Sequence, residues 1–207
     1  MQTEYLVFIK ECVSILATIM AMIIAIWGVN SWKRQLKGSI EYDLARRLLK
    51  STFQLREAIQ AVRDPFIWEY EQSMPDESEV RKMTRDGVRF YGLAKAYQTR
   101  WKKVSDLRID LQTGLLEAEV LWGKEIYEPY KKLFELQKEL HLDVVEYLEV
   151  CNPDQSQDAR EAYVKMRKGH REVIYNMARM DKPDDFTEDI MSAIIKIEDF
   201  LKPHLRK

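Results

Sequence analysis

The chain has 207 residues, of which 33 are basic and 34 acidic, for a formal net charge of −1. This balance excludes the strongly basic class of nucleic-acid-binding proteins, so we do not expect nucleic acid as a partner. With only 7 glycines, 6 prolines and 2 cysteines, the composition favours an all-α fold and excludes a disulfide framework.

The N-terminal part predicts a transmembrane helix at residues 12–32, after a short extracytoplasmic tail (1–11). Eighteen residues, 12–29, carry no charge. At about 1.5 Å per residue they extend about 27 Å, close to the thickness of a bilayer's hydrocarbon core. Trp27 and Trp32 stand at the C-terminal end, where amphipathic rings prefer the membrane interface. A buried helix of a soluble protein would normally keep a charged stripe.

Charge at the two ends of this segment predicts its orientation. A cleavable signal peptide has a basic region before its apolar run, whereas here Lys33, Arg34 and Lys37 follow it. The positive-inside rule therefore predicts a single-pass protein of the inner (plasma) membrane, with the N-terminus outside and the C-terminal domain in the cytoplasm. The same three residues can attract anionic headgroups, so membrane lipids are expected partners.

Small residues recur within the span, alternately four and three positions apart. Such residues let two helix backbones approach closely in lipid, so we expect a homo-oligomer formed through the span. We call this set the small-residue stripe; its members are Ser14, Thr18, Ala21, Ala25 and Gly28.

Lys10 and Glu11 precede the chargeless run and have two interpretations. Their side chains can extend to the outer headgroups or pair with neighbours. Alternatively, they form a charged ring at the mouth of an oligomeric pore.

Residues 33–63 predict a basic juxtamembrane helix, of which residues 39–63 pack on the cytoplasmic part, 64–207. This helix can continue the membrane helix, with Gly38 as the hinge, and Asp64-Pro65 ends it. Its apolar residues at helical spacing are Ile40, Leu44, Leu48, Leu55, Ile59 and Val62.

Four further helices follow in the cytoplasmic part, separated mostly by short polar breaks. The arrangement predicted from this pattern is one N-terminal transmembrane helix followed by a cytoplasmic antiparallel helical bundle. The predicted helices cover 84–111, 115–150 with a bend near Gly123 or Pro129, 158–180, and Thr187 to Pro203.

Motifs of catalysis are absent from the sequence. The three histidines, His141, His170 and His204, belong to no H-E-x-x-H motif, and no phosphate-binding glycine loop occurs. We therefore predict no catalytic, cofactor-binding or metal-binding residue and no enzymatic activity. Basic and aromatic residues mix at 97–108 around Trp101, either as a helix with a solvated basic face or as a surface for anions.

A single N-terminal span followed by a helical domain, over the whole chain, resembles small bacterial membrane effectors of antiviral defence. These include accessory proteins of RNA-targeting CRISPR systems, whose bundle is like the HEPN ribonuclease fold. The hallmark of that fold is an arginine, four to six intervening residues, and a histidine. The nearest pair here, Arg167 and His170, is too closely spaced. The resemblance implies a membrane role through oligomerisation, without ribonuclease chemistry.

Two functions follow from these features. The first is an oligomeric membrane-anchored effector whose assembled spans perturb or permeabilise the membrane, in antiviral or stress defence. The second is a membrane-tethered adaptor whose cytoplasmic helices recruit a protein partner.

Overall fold

The computed structural model describes residues 2–167, 171–176 and 183–205, with side chains from residue 14 onward except those of 166 and 167. Within these ranges the chain forms six α-helices and no β-strand, so the prediction of an all-α fold is confirmed. The α-helices are α1 (Gln2–Val62), α2 (Glu77–Val80), α3 (Arg85–Trp122), α4 (Lys131–Cys151), α5 (Gln157–Arg167) and α6 (Asp185–Leu205), and short 3-10 helices cover Glu69–Glu71 and Lys124–Tyr130.

Helix α1 is continuous over 61 residues, which corresponds to a length of about 90 Å. The apolar N-terminal segment and the predicted juxtamembrane helix are therefore one element. The helix passes through Gly38 without a break. It ends at Val62, just before Asp64-Pro65, because proline disfavours the helical conformation of the residue that precedes it.

The predicted break between residues 111 and 115 is wrong, because α3 runs through Gly114 to Trp122. A Cβ added at Gly114 would lie 2.9 Å from Cδ2 of Leu48 in α1. The glycine therefore serves close packing of two helices instead of ending one. The break lies at Gly123, whose φ of 77° is in the left-handed region that favours glycine.

The predicted helix over 158–180 is too long. Helix α5 is described as far as Arg167, and residues 171–176 are not helical; residues 168–170 and 177–180 lie outside the described part of the chain. The last helix begins earlier than predicted, since Asp184 accepts a hydrogen bond from the backbone N–H of Thr187 at 2.8 Å and so acts as its N-cap. It also continues past Pro203 to Leu205.

Side-chain contacts give the relative directions of three helix pairs. Between α1 and α3, Arg47 pairs with Glu117 and Arg100 donates to the carbonyl of Asp64, so the two helices are antiparallel. Helices α3 and α4 are antiparallel as well, and so are α1 and α6. The contacts that establish this are Tyr97–Tyr147 with Trp101–His141, and Glu41–His204 with Arg63–Thr187.

The hydrophobic core is built where these helices meet. Of the predicted apolar face of α1, five residues are buried, but Ile40 is 50 % exposed because burial on this helix begins only at Glu41. The buried five are Leu44, Leu48, Leu55, Ile59 and Val62.

Arg63, at the end of α1, is fully buried and joins three segments. Its Nε donates to the carbonyl of Val173 at 2.6 Å, and its Nη2 donates to the carbonyl of Tyr175 at 3.0 Å. The other contacts reach the start of α6, at Thr187 Oγ1 (2.8 Å) and Asp184 Oδ2 (2.9 Å). The guanidinium is thus compensated by one carboxylate and three neutral acceptors, as a buried charge requires.

An aromatic ring adds to this cluster. The ring centroid of Phe186 lies 4.7 Å from the guanidinium carbon of Arg63 and 5.2 Å from that of Arg171, within cation–π range. Arg171 in turn forms ion pairs with Glu139 in α4 and Asp189 in α6. The non-helical segment 171–176 is therefore attached to α1, α4 and α6 through charged groups.

We predict that Arg63→Met lowers the free energy of unfolding by about 3 kcal/mol or more, because it removes the donor that the carboxylate of Asp184 and the carbonyls of Val173 and Tyr175 share. Thermal unfolding of the detergent-solubilised protein, followed by circular dichroism, measures the effect. The matched control is Arg56→Met, since Arg56 pairs with its exposed neighbour Glu57 and lies 5.1 Å from the ring centroid of Phe53; its loss should cost less than about 1 kcal/mol. Equal losses in the two variants would contradict the role given to Arg63.

Candidate functional site

The apolar half of α1 has no packing partner among the residues that the structure describes. One helix of the described residues is long and apolar enough to cross a membrane, and its most apolar window has a mean hydropathy of 1.8 with none of its residues buried. Soluble core helices and signal sequences can match it in length and composition, but a core helix is mostly buried. Trp27 and Trp32 are 68 % and 62 % exposed.

The small-residue stripe lies entirely on this exposed part of α1. The Thr18 hydroxyl donates to the Ser14 carbonyl at 2.9 Å, so its proton is already used within the helix. At Gly28, a Cβ would meet no atom within 4 Å. No described residue packs on the stripe, whose members are all exposed, and self-association through it stays a prediction.

The other predicted site residues flank the stripe. Lys10 and Glu11 belong to α1, but their side chains lie outside the described part of the chain, so the pore-mouth interpretation stays a prediction. Lys33, Arg34 and Lys37 are exposed. Lys37 Nζ lies 3.7 Å from the largely buried carboxylate of Glu41.

A cleft of about 710 Å³ opens at the other end of the protein. It lies where the loop after α1, the first turns of α3, the end of α4 and the start of α5 meet. Its apolar side is formed by Ile67, Phe90 and Leu93, and its polar side includes Arg89 and Arg160. Sequence reasoning missed this cleft, because its residues come from four separate segments that carry no common motif.

Arg100 fixes the loop that borders the cleft. It is 7 % exposed and forms two hydrogen bonds with the carboxylate of Glu71, at 2.8 and 2.7 Å. It also donates to the carbonyls of Asp64 and Phe66. A bidentate arginine–carboxylate pair is the strongest type of ionic contact in proteins, so the loop is held against α3 by a charged anchor.

Two ionisable groups near the cleft have shifted pKa values. The Arg100 guanidinium holds the pKa of the Glu71 carboxyl below its usual value, against the opposing effect of burial. Burial raises the pKa of the Tyr147 hydroxyl well above its usual value, and hydrogen bonding to Tyr175 adds to the effect. Tyr147 therefore lines the cleft as a neutral phenol at physiological pH.

The basic and aromatic mixture at 97–108 does not form one surface. Arg100 is in its ion pair, and the guanidinium carbon of Arg108 lies 3.1 Å from the ring centroid of Phe134. Burial lowers the pKa of Arg108 to about 10. Trp101 is half-buried and stacks on His141, with ring centroids 4.3 Å apart. Of the four basic side chains at 97–108, those of Arg100 and Arg108 therefore make contacts within the protein.

Metal ligands are not assembled in the described ranges: no group of three or more His, Cys, Asp or Glu side chains there could hold a metal ion. His141 stacks on Trp101, His204 stacks on Trp122, and His170 lies outside those ranges.

No protein-family model matches the chain, and no curated protein or solved structure matches it either. The resemblance to defence effectors therefore stays a prediction from architecture.

We predict that the Glu71–Arg100 pair makes stability pH-dependent. Because the pKa of Glu71 is lower in the folded than in the unfolded chain, its contribution is complete above the unfolded value and is lost as pH falls through the folded one. Between about pH 5 and pH 3, the melting temperature of Glu71→Gln should fall less steeply than that of the wild type.

The matched control for this measurement is Glu57→Gln, since Glu57 is exposed and pairs only with Arg56. Its melting temperature should follow the wild-type curve. A Glu71→Gln curve parallel to that of the wild type would show that the pair does not couple protonation to stability.

Proposed function

We propose that the chain is a single-pass membrane protein of the inner (plasma) membrane whose spans assemble and act on the bilayer. The exposure of every described residue of the most apolar window of α1 supports the span, since a soluble protein would have to leave this surface in water. The basic residues Lys33, Arg34 and Lys37, all exposed, support an N-terminus outside and a cytoplasmic C-terminal domain. The antiparallel helix pairs support a single cytoplasmic bundle.

The continuity of α1 carries this proposal. The same helix contains the apolar window and, from Leu44 to Val62, one side of the hydrophobic core. A passive tether needs only a flexible linker. A continuous helix instead transmits rotation and tilt between the cytoplasmic domain and the span, which favours a protein in which both parts act together.

The exposed face of α1 beyond the span supports self-association. The spacing of the small-residue stripe continues through Trp32 into a set that we call the α1 seam, and each seam residue is exposed or half-exposed. Two shallow grooves, of about 530 and 360 Å³, are each lined by three seam residues. A repeat of about 3.5 residues is the pattern of parallel helices in a left-handed supercoil. The α1 seam comprises Gln35, Ser39, Tyr42, Arg46, Leu49 and Phe53.

In the assembled state the spans would line or distort a path through the bilayer. Lys10 and Glu11 would then stand near its outer mouth. This is the membrane-permeabilising effector, and the architectural resemblance implies antiviral or stress defence as its setting.

We predict that bulky residues in the small-residue stripe abolish assembly. The triple variant Ser14→Leu, Ala21→Leu, Gly28→Leu keeps the span apolar but prevents close approach of two backbones. In nanodiscs the variant should be a monomer. Cells that express it should have the same membrane potential as cells that carry an empty vector.

The matched control replaces large residues on other faces of the same span, Ile15→Leu, Ile19→Leu and Ile26→Leu, and should behave as the wild type. The effector function would be refuted if the wild-type protein were monomeric or if the stripe variant still depolarised the membrane.

The second function, a membrane-tethered adaptor, is favoured by the open cleft distant from the span. It predicts a different outcome when α1 residues 12–32 are replaced by an unrelated monomeric transmembrane helix of the same length. An effector loses its effect on the membrane potential, whereas an adaptor keeps its cellular activity. Membrane fractionation of the chimaera verifies that it is still inserted.

A further inference from the structure

We propose that the cleft between α3, α4 and α5 binds a small organic phosphate, that is, a phosphate ester carrying an apolar or aromatic group. The cleft of about 710 Å³ has the size of pockets that hold small molecules. This site goes beyond the membrane role proposed above and does not depend on how the spans assemble.

Two arginines supply the positive charge. Arg89 and Arg160 both line the cleft, and within the described ranges neither forms an ion pair, unlike Arg63, Arg100 and Arg171. Guanidinium groups bind phosphate oxygens through paired N–H donors. Two of them match the double negative charge of a phosphate monoester.

Arg160 is positioned before any ligand arrives. One of its Nη atoms donates to the carbonyl of Asn152 at 2.6 Å, which ties the side chain to the turn between α4 and α5. Its Nε is buried without an acceptor among the described residues. A buried donor without an acceptor is costly, so the guanidinium is held in place with hydrogen-bonding capacity still unused.

The remaining walls select an organic ligand over free phosphate. Phe90, Leu93 and Ile67 offer apolar surface, and Tyr147 adds an aromatic ring. Asp86 also lines the cleft and can accept a hydrogen bond from a ligand hydroxyl or amine while disfavouring a second anionic group nearby.

The position of the cleft favours a soluble ligand over a lipid headgroup. Its wall at Ile67 follows the end of α1, and Val62 lies thirty positions after Trp32 in that helix. This separation is about 45 Å along the helix axis, so the cleft lies far from the proposed membrane surface.

Cys151 provides a direct test, because its half-buried thiol lines the same cleft. The chain has two cysteines, so in a Cys12→Ser background Cys151 is the single reactive thiol. The rate of its modification by neutral 4,4′-dithiodipyridine is measured on the full chain in detergent. Phenyl phosphate, inorganic phosphate, phenol and benzoate are titrated separately, and phosphatidic acid is supplied in nanodiscs as the lipid source.

We expect phenyl phosphate to slow the modification of Cys151 in a saturable manner, at concentrations about tenfold lower than the other soluble compounds require. Arg89→Gln and Arg160→Gln should each raise its half-saturating concentration about tenfold. The control Arg47→Gln replaces an exposed arginine of α1 that lies outside both the α1 seam and the cleft, and it should leave this concentration unchanged. Because Arg89 is exposed, its variant should keep the wild-type melting temperature, which separates lost binding from lost folding.

Four results would overturn the proposal. One is the absence of saturable protection by phenyl phosphate, and another is unchanged protection in the double variant Arg89→Gln/Arg160→Gln. The third is equal protection by benzoate or inorganic phosphate, which would assign the cleft to anions in general. Protection by phosphatidic acid alone would identify a lipid site and reject the soluble ligand.

Discussion

The buried guanidinium of Arg63 is the interaction on which the packing of the C-terminal half depends. A charge enclosed in the core is tolerated only when its donors are matched, and here they bind the carbonyls of Val173 and Tyr175 and the first turn of α6. The segment 171–176 that carries these two carbonyls is not helical. Arg63 thereby connects this segment and the first turn of α6 to the end of α1.

The sequence predicted those features of the fold that arise from local patterning. The helical content, the end of α1 before Asp64-Pro65 and five of six buried positions on α1 follow from hydrophobic spacing and proline chemistry. The two larger errors have tertiary causes. Glycine is common at helix ends, but Gly114 lies inside α3, where it lets this helix pack closely against Leu48. The helical pattern predicted at 171–176 is not realised, and two backbone carbonyls of this segment accept hydrogen bonds from Arg63.

The candidate sites differ in the same way. The apolar half of α1 and its flanking charges are readable from sequence, because a span is a local property of about twenty residues. The cleft is not, since Ile67, Arg89, Tyr147 and Arg160 are distant in the chain and meet only after folding. The sequence does contain one relevant feature that the predictions did not use, namely several arginines among apolar residues. Arg63, Arg100 and Arg171 have carboxylate partners and join separate segments, whereas Arg89 and Arg160 line the cleft and form no ion pair among the described residues.

The unbroken course of α1 has a mechanical consequence. A span that is longer or shorter than the local hydrocarbon thickness adjusts by tilting, and a hinge would absorb that tilt at the membrane surface. Here the helix is uninterrupted from Gln2 to Val62 and its last third is part of the core. In a bilayer, a change of tilt by about 10° would therefore sweep the distal cleft sideways by several ångströms over a lever of about 45 Å. If α1 crosses a membrane, the thickness of that membrane and the orientation of the C-terminal helices would be coupled by geometry alone.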